Sequence, residues 1–324
     1  MDRMTKIHVA QFSAIIALLP LVLHRWGATA YYLDVLIFVA IHSVLAIGLA
    51  LLIGFAGQIS LGHAAFYGIG AYSSGLLTTR LGCSPWLAIA IGAIIAGLVA
   101  YIIGVPSLRL HGHYLAMATL GTGVIVSVFF NEAVWLTGGP SGFGDIPTLR
   151  LFGRELTDIS YYYLCWTVTI GILIISLNII NSRIGRALRA IRDSELAAAS
   201  SGVNASKIKV QIFVLSAIYG SIGGSLYAHF VTFINPPPFD VFFSVKLLMM
   251  VCVGGMQSLW GAIAGAALLT LLPEWLTFLQ DFDVLAYGHL LLVIIVFFPE
   301  GLSGVGKNIL RVSLGRSVTA RGLR

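Results

Sequence analysis

Charge is scarce in this chain. Lysine and arginine number 19 and aspartate and glutamate 13, so only 10% of the 324 residues carry charge. A soluble domain is about a quarter charged. Hydrophobic residues make up 58% and mean hydropathy is +0.95. Such a chain has too few polar groups to cover a water-facing surface, which excludes an ordinary cytosolic enzyme and a disordered protein. Cysteine is scarce as well. Cys83, Cys165 and Cys252 are far apart and odd in number, so they give no disulfide framework and no metal-ligand spacing. No cofactor or metal site is expected. Aromatic or polar readout residues beside a basic stripe are also missing, so the net charge of +6 does not point to nucleic acid.

Long apolar runs are abundant. A membrane span takes about 20 apolar residues. Spans are expected near 9–24, 33–54, 62–79, 86–105, 113–130, 161–181, 210–232, 243–256, 258–275 and 287–304. The expected fold is all-α: one polytopic bundle of about ten transmembrane helices (eight to ten) over 1–324, with both termini cytoplasmic. Lys and Arg are retained on the cytoplasmic side. With ten spans, 14 of the 19 basic residues fall inside, and only Arg25, Arg80, Arg150, Arg154 and Lys246 fall outside. The N-terminus resembles a secretory signal up to Ala28-Thr29-Ala30, but His24, Arg25 and Trp26 interrupt the approach to that site. An uncleaved first span is expected.

Glycine is plentiful, at 36 residues. Gly92 with Ala96 and Gly97, and Gly261 with Gly265, have the small-residue spacing that lets helices approach closely.

Three segments break the apolar pattern. Residues 54–63 read GFAGQISLGH. Irregular backbone at membrane depth survives only if buried in protein or lining a water-filled path. Gln58, Ser60 and His63 are therefore candidates to hydrogen-bond a polar solute or to cap broken helix ends. The second segment, Asn131 to Tyr161, is rich in turn residues and is expected to be an ordered outer loop. It contains Gly139-Pro140-Ser141-Gly142 and Gly142-Phe143-Gly144-Asp145, short matches to intramembrane serine and aspartyl protease motifs. Neither brings the histidine base or the second aspartate that such chemistry needs.

The third is the inner segment 182–209. Arg183, Arg186, Arg189 and Arg192 recur every three residues, with Leu188 and Ile191 off that stripe. Asp193 or Ser194 can cap a second short helix, Glu195 suits its N-terminus, and Gly202 suits its end. The alanine-rich face of this helix–turn–helix can enter a groove on a partner protein. An amphipathic helix held by anionic lipid is the alternative.

Gly301 to Lys307 fits a phosphate-binding loop, but Asn308 stands where a Mg²⁺-binding hydroxyl is required. ATP-driven work would need a separate chain. Spans without a central Asp or Glu argue against a proton- or sodium-coupled secondary transporter or channel, the alternative of another class.

GFAGQISLGHAAFYGIGAY (54–72), LTGGPSGFGDIP (136–147), GRALRAIRDSELAAASSGV (185–203), GGMQSLWGAIAGAAL (254–268) and FFPEGLSG (297–304) together resemble the branched-chain amino acid permease family of ABC importers, and its LivM-type subunits in particular. The resemblance implies a permease with no bond chemistry of its own. It also implies a second related permease subunit, two cytoplasmic ATPase subunits, an external solute-binding protein and a bacterial inner membrane. Segment 183–203 would be the coupling loop, with Gly185, Arg186, Ala187, Arg189, Ala190, Asp193, Glu195, Ala198 and Gly202 matching its pattern. One departure stands out: where the family often has Phe-Gly-Glu-Ile, this chain has Gly121-Thr122-Gly123-Val124, without the acid. The family's solutes include branched-chain amino acids, urea and short-chain amides.

Overall fold

The computed structural model of the chain describes residues 3–24, 29–108, 112–151 and 154–275. They form twelve helices: α1 (Arg3–His24), α2 (Thr29–Ala50), α3 (His63–Leu81), α4 (Pro85–Ser107), α5 (His113–Glu132), α6 (Val134–Thr137), α7 (Asp158–Asn181), α8 (Arg183–Asp193), α9 (Glu195–Ser200), α10 (Ala205–Val231), α11 (Val241–Gly254) and α12 (Leu259–Trp275). The first nine expected spans each fall on a helix. The tenth, 287–304, lies outside the described residues, as do FFPEGLSG and the 301–308 near-match.

Five helical stretches are long and apolar enough to cross a membrane: Tyr31–Phe55, Pro85–Ser107, His113–Glu132, Asp158–Asn181 and Ala205–Val231. At 1.5 Å per residue, α10 is about 40 Å long. The helix starts follow from local chemistry. Asn204 Oδ1 accepts from Lys207 N–H at 3.0 Å, and Asp240 Oδ1 from Phe243 N–H at 3.0 Å. Each side chain satisfies one of the orphan donors of a first turn. Gly82, at φ +60°, ends α3 in the left-handed region.

α2 is apolar around its whole circumference, and such a helix belongs in a core. It packs against α7, α10, α11 and α12. Its one imidazole, His42, meets Thr270 of α12, with Nδ1 2.8 Å from Oγ1. The buried core runs from Ile16 to Leu269. α4 and α5 stand at the periphery and expose Ile94, Leu98, Ile102, Met117 and Ile125. Large apolar residues on an outward face suit lipid contact.

The small residues do what their spacing suggests. A Cβ at Gly254 would overlap the Gly261 carbonyl, and one at Gly265 would overlap the Met250 carbonyl. α11 and α12 therefore pack backbone to backbone as a tight pair. α3 and α10 do the same: a Cβ at Gly70 would overlap Ser221, and one at Gly224 the Tyr67 carbonyl.

Among the described residues, the loop between α5 and α7 is ordered. Arg150–Leu151 pairs antiparallel with Arg154–Glu155, and Phe143 exchanges backbone hydrogen bonds with Ile234 at 3.0 Å. His229 anchors this end of the bundle. Its Nδ1 donates to the Pro147 carbonyl at 2.7 Å, which leaves Nε2 to accept from the Ser74 hydroxyl at 2.7 Å. That commitment leaves His229 unsuited to serve Ser141 as a base. Asp145 takes φ +59° as a turn residue.

Candidate functional site

The candidate site is the interrupted stretch between α2 and α3. α2 ends in a π-helical turn, Leu51–Phe55. Residues 57–62 then run without helical structure before α3 begins at His63. Two contacts fix its course. A Cβ at Gly54 would overlap the Met256 carbonyl, just past the C-terminal end of α11. Ala64 N–H donates to Ser244 Oγ at 3.0 Å, in the first turn of α11. The stretch therefore runs beside most of α11, roughly 16 Å along it. This is irregular backbone laid along the helical bundle, with Gln58 and Ser60 buried and Gly57 and Ile59 exposed; at membrane depth only protein or a water-lined path can satisfy it.

The bundle supplies part of that satisfaction. Thr119 Oγ1 accepts from Leu61 N–H at 3.1 Å, and Gln58 N–H donates to the Leu52 carbonyl at 3.0 Å. A Cβ at Gly62 would overlap the Thr119 carbonyl, so α5 lies directly against the stretch. The residues that cap the break are thus Thr119 and Ser244. Sequence reasoning had not singled them out: α5 carries Thr119, Thr122 and Ser127 alike, and only the fold shows which hydroxyl meets the break.

Gln58, Ser60 and His63 are all buried, at 3%, 3% and 0% exposure. His63 Nε2 lies 2.8 Å from Ser216 Oγ on α10. Both Gln58 amide atoms, the Ser60 hydroxyl and His63 Nδ1 have no hydrogen-bond partner among the described residues. A buried polar group without a partner costs about 1–3 kcal/mol. Several orphans within six residues therefore call for a polar ligand or water, and Gln58 and Ser60 do not cap the helix ends. As neutral groups the three offer both donors and acceptors without fixed charge.

The surface pair α8–α9 lies at the α2 end of this stretch. Ser182 Oγ caps α8 by accepting from Ile184 N–H at 3.1 Å, and Ser194 Oγ caps α9 by accepting from Ala197 N–H at 3.3 Å. Leu188 and Ile191 are buried, as expected off the arginine stripe. Of the nine loop residues that match the family pattern, Arg186, Ala190, Asp193 and Gly202 are exposed, and Ala187 is half-buried. Arg189 is exposed too, and its Nη1 donates to the Ile180 carbonyl at 3.2 Å. Gly185 and Ala198 face inward; a Cβ at Gly185 would overlap Ile180. Glu195 pairs with Lys209 on α10. Gly202 takes φ +82° just past α9. Beside α9 lies a groove of about 740 Å³, lined by Glu195, Leu196, Ala199 and Val203 among others. Leu196 is 85% exposed on its rim, an apolar knob outside the matched pattern.

Among the described residues, no cluster of His, Cys, Asp or Glu has metal-holding geometry.

A bundle of membrane-length helices with a polar, irregular stretch packed along it defines the class: a multi-pass membrane protein. Residues 31–298 match the family described as the permease component of branched-chain amino acid transport systems, and the chain belongs to that family. It is 31% identical over 306 residues to the high-affinity branched-chain amino acid transport system permease protein LivM of Escherichia coli, covering 87% of this chain and 72% of that protein. Its identity to the LivM of Salmonella typhimurium is 30% over 308 residues, covering 88% and 72%. The LivH permease protein of Salmonella typhimurium is 27% identical over 285 residues, covering 81% and 91%. No solved structure matches the chain. The family is one of transport permeases and not of enzymes.

Proposed function

We propose that this chain is the permease subunit of an ATP-binding-cassette importer that brings branched-chain amino acids into a bacterial cell. The observation that carries the reading is family membership over residues 31–298. In this reading the whole chain, 1–324, is one permease domain in the cytoplasmic membrane. It has ten spans, both termini inside, and segments 54–57, 183–203 and 254–258 at the inner face. The excess of Lys and Arg in the inner set supports that orientation.

A second related permease subunit completes the membrane part. Two cytoplasmic ATPase subunits dock on 183–203, and an external binding protein delivers the solute. Gly185 and Ala198 shape the docking loop from within. Arg186, Ala187, Arg189, Ala190, Asp193, Glu195 and Gly202 form or position its outer face. Leu196 beside the groove supports this reading, because a large apolar side chain on a water-facing helix suits a protein partner better than water. Closure of the ATPase pair moves the loop, and the bundle opens to the other side.

The solute passes Gln58, Ser60 and His63. Their buried, unpartnered donors and acceptors suit both ends of an uncharged or zwitterionic molecule. The same groups suit urea or a short-chain amide, and the uptake assay below separates these solutes.

The test is purification from the native membrane in mild detergent, then reconstitution into vesicles. Two ATPase chains and a second permease should co-purify, and leucine uptake should require ATP. Uptake by this chain alone without ATP would sink the importer reading. Uptake of urea or acetamide but not leucine would replace the solute. A Leu196→Asp variant that keeps its ATPases and full uptake would remove 183–203 as the docking surface.

A further inference from the structure

Arg192 joins three chain segments in a way that docking alone does not require. It is the last arginine of the α8 stripe, and its side chain turns back toward the bundle. Nη1 donates to the Gly54 carbonyl at 2.8 Å. With the Gln257 amide turned to present its oxygen, that oxygen accepts from Nη1 at 2.9 Å and from Nη2 at 2.6 Å. The stem of Arg192 lies on Gly57, where a Cβ would stand 3.3 Å from Cγ. One arginine thus meets the π-helical turn and the turn between α11 and α12 through its guanidinium, and the start of the 57–62 stretch through its stem.

Both acceptors sit at breaks. Gly54 lies in the π-helical turn, where the helical ladder is interrupted and a carbonyl is available for a side chain. Gln257 lies in the short turn after Gly254, with Gly255 at φ +106°. At such breaks turn and side-chain bonds replace the helical ladder, and the two segments lie directly against each other, since a Cβ at Gly54 would overlap the Met256 carbonyl. Gln58, with its unpartnered amide, directly follows Gly57. The planar guanidinium fork engages two acceptors at once, whereas an ammonium acts as a point charge.

We propose that Arg192 is a positioning residue for transport: it carries displacement of the α8–α9 pair into the 54–63 stretch and the 254–258 turn together. The proposal rests on the reading that 183–203 meets the ATPases. Arg192 is exposed but its guanidinium bonds inward to Gly54 and Gln257, while Leu196 stands 85% exposed, so variants at the two positions test the two statements separately.

The experiment uses the whole importer in proteoliposomes, with its ATPases, second permease and binding protein. Leucine uptake and ATP hydrolysis are measured in the same vesicles. Arg192→Ala should retain its ATPases and at least half of the hydrolysis rate, while uptake per ATP hydrolysed falls tenfold or more. Arg192→Lys should recover part of that ratio. Gln257→Leu should lower it severalfold, and Gln257→Glu, which keeps an acceptor for the fork, should stay within twofold of the native protein. An unchanged ratio in Arg192→Ala overturns the proposal and leaves the docking surface standing. Loss of the ATPases from Arg192→Ala also overturns it, because Arg192 would then merely shape the docking loop. Loss of the ATPases from Leu196→Asp but not from Arg192→Ala separates the two roles as proposed.

Discussion

Lys209 and Glu195 form an ion pair 14 residues apart, with the ammonium nitrogen 2.5 Å from the carboxylate. The lysine side chain is 9% exposed and the glutamate 34%. The pair ties α9 to the first turns of α10, so the orientation of the surface helix is held by a bond to a membrane-length helix. Glu195→Lys sets two ammonium groups against each other there. It should cost about 2 kcal/mol, between the values for exposed and buried pairs. Leucine uptake should fall about tenfold with membrane insertion intact. The double variant Glu195→Lys with Lys209→Glu should restore more than half of the uptake, and equal loss in single and double variants would count against the pair.

Ala replacements at Gln58, Ser60 and His63 remove the orphaned groups. Each single variant should raise the KM for uptake by about three- to tenfold, in line with one lost hydrogen bond of about 1 kcal/mol. Basal ATP hydrolysis should stay within twofold. A triple variant with native KM and solute selectivity would remove these residues from the path.

His229→Phe keeps an aromatic ring, a slightly larger one, and removes both ring nitrogens. The buried Ser74 hydroxyl is then left without this partner, at a cost of about 1–3 kcal/mol, and the Pro147 carbonyl, on an exposed residue, loses its tie to the bundle. The thermal unfolding midpoint in detergent should drop by several degrees. Protease cleavage within 143–157 should also become faster, since the loop loses an anchor.

Glycine positions should divide sharply. Gly265→Leu drives a side chain into the Met250 carbonyl and should abolish the folded, extractable protein. Gly171→Ala has open space around the new methyl and should leave expression and uptake within twofold. Fluorescence-detected gel filtration of tagged variants reads both results.

Much of this architecture is visible in the residues themselves. Apolar runs locate α1–α5, α7 and α10–α12, because in lipid a backbone has few ways to satisfy itself. Arg183, Arg186, Arg189 and Arg192 mark the surface helix, and Ser194 marks the start of the next. What the pattern could not supply is pairing across the bundle. Nothing in the neighbourhood of Thr119 or Ser244 says that these hydroxyls cap a stretch 58 and 180 residues away. Arg192 looks like its three neighbours on the stripe, yet it turns inward to Gly54 and Gln257. Such contacts depend on tertiary geometry, to which local periodicity is blind.

The bond between His42 and Thr270 sets an order of events in the life of the chain. Its partners are 228 residues apart. At a synthesis rate of about 5–20 residues per second, roughly 10–45 s separate their emergence from the ribosome. Throughout that interval the imidazole must wait in the nascent membrane bundle without its threonine, and α2 without the helix that covers it. The central helix enters the bilayer early and is among the last to reach its final neighbours. A ribosome pausing before residue 270 would therefore leave one imidazole on an otherwise apolar helix without its partner at membrane depth.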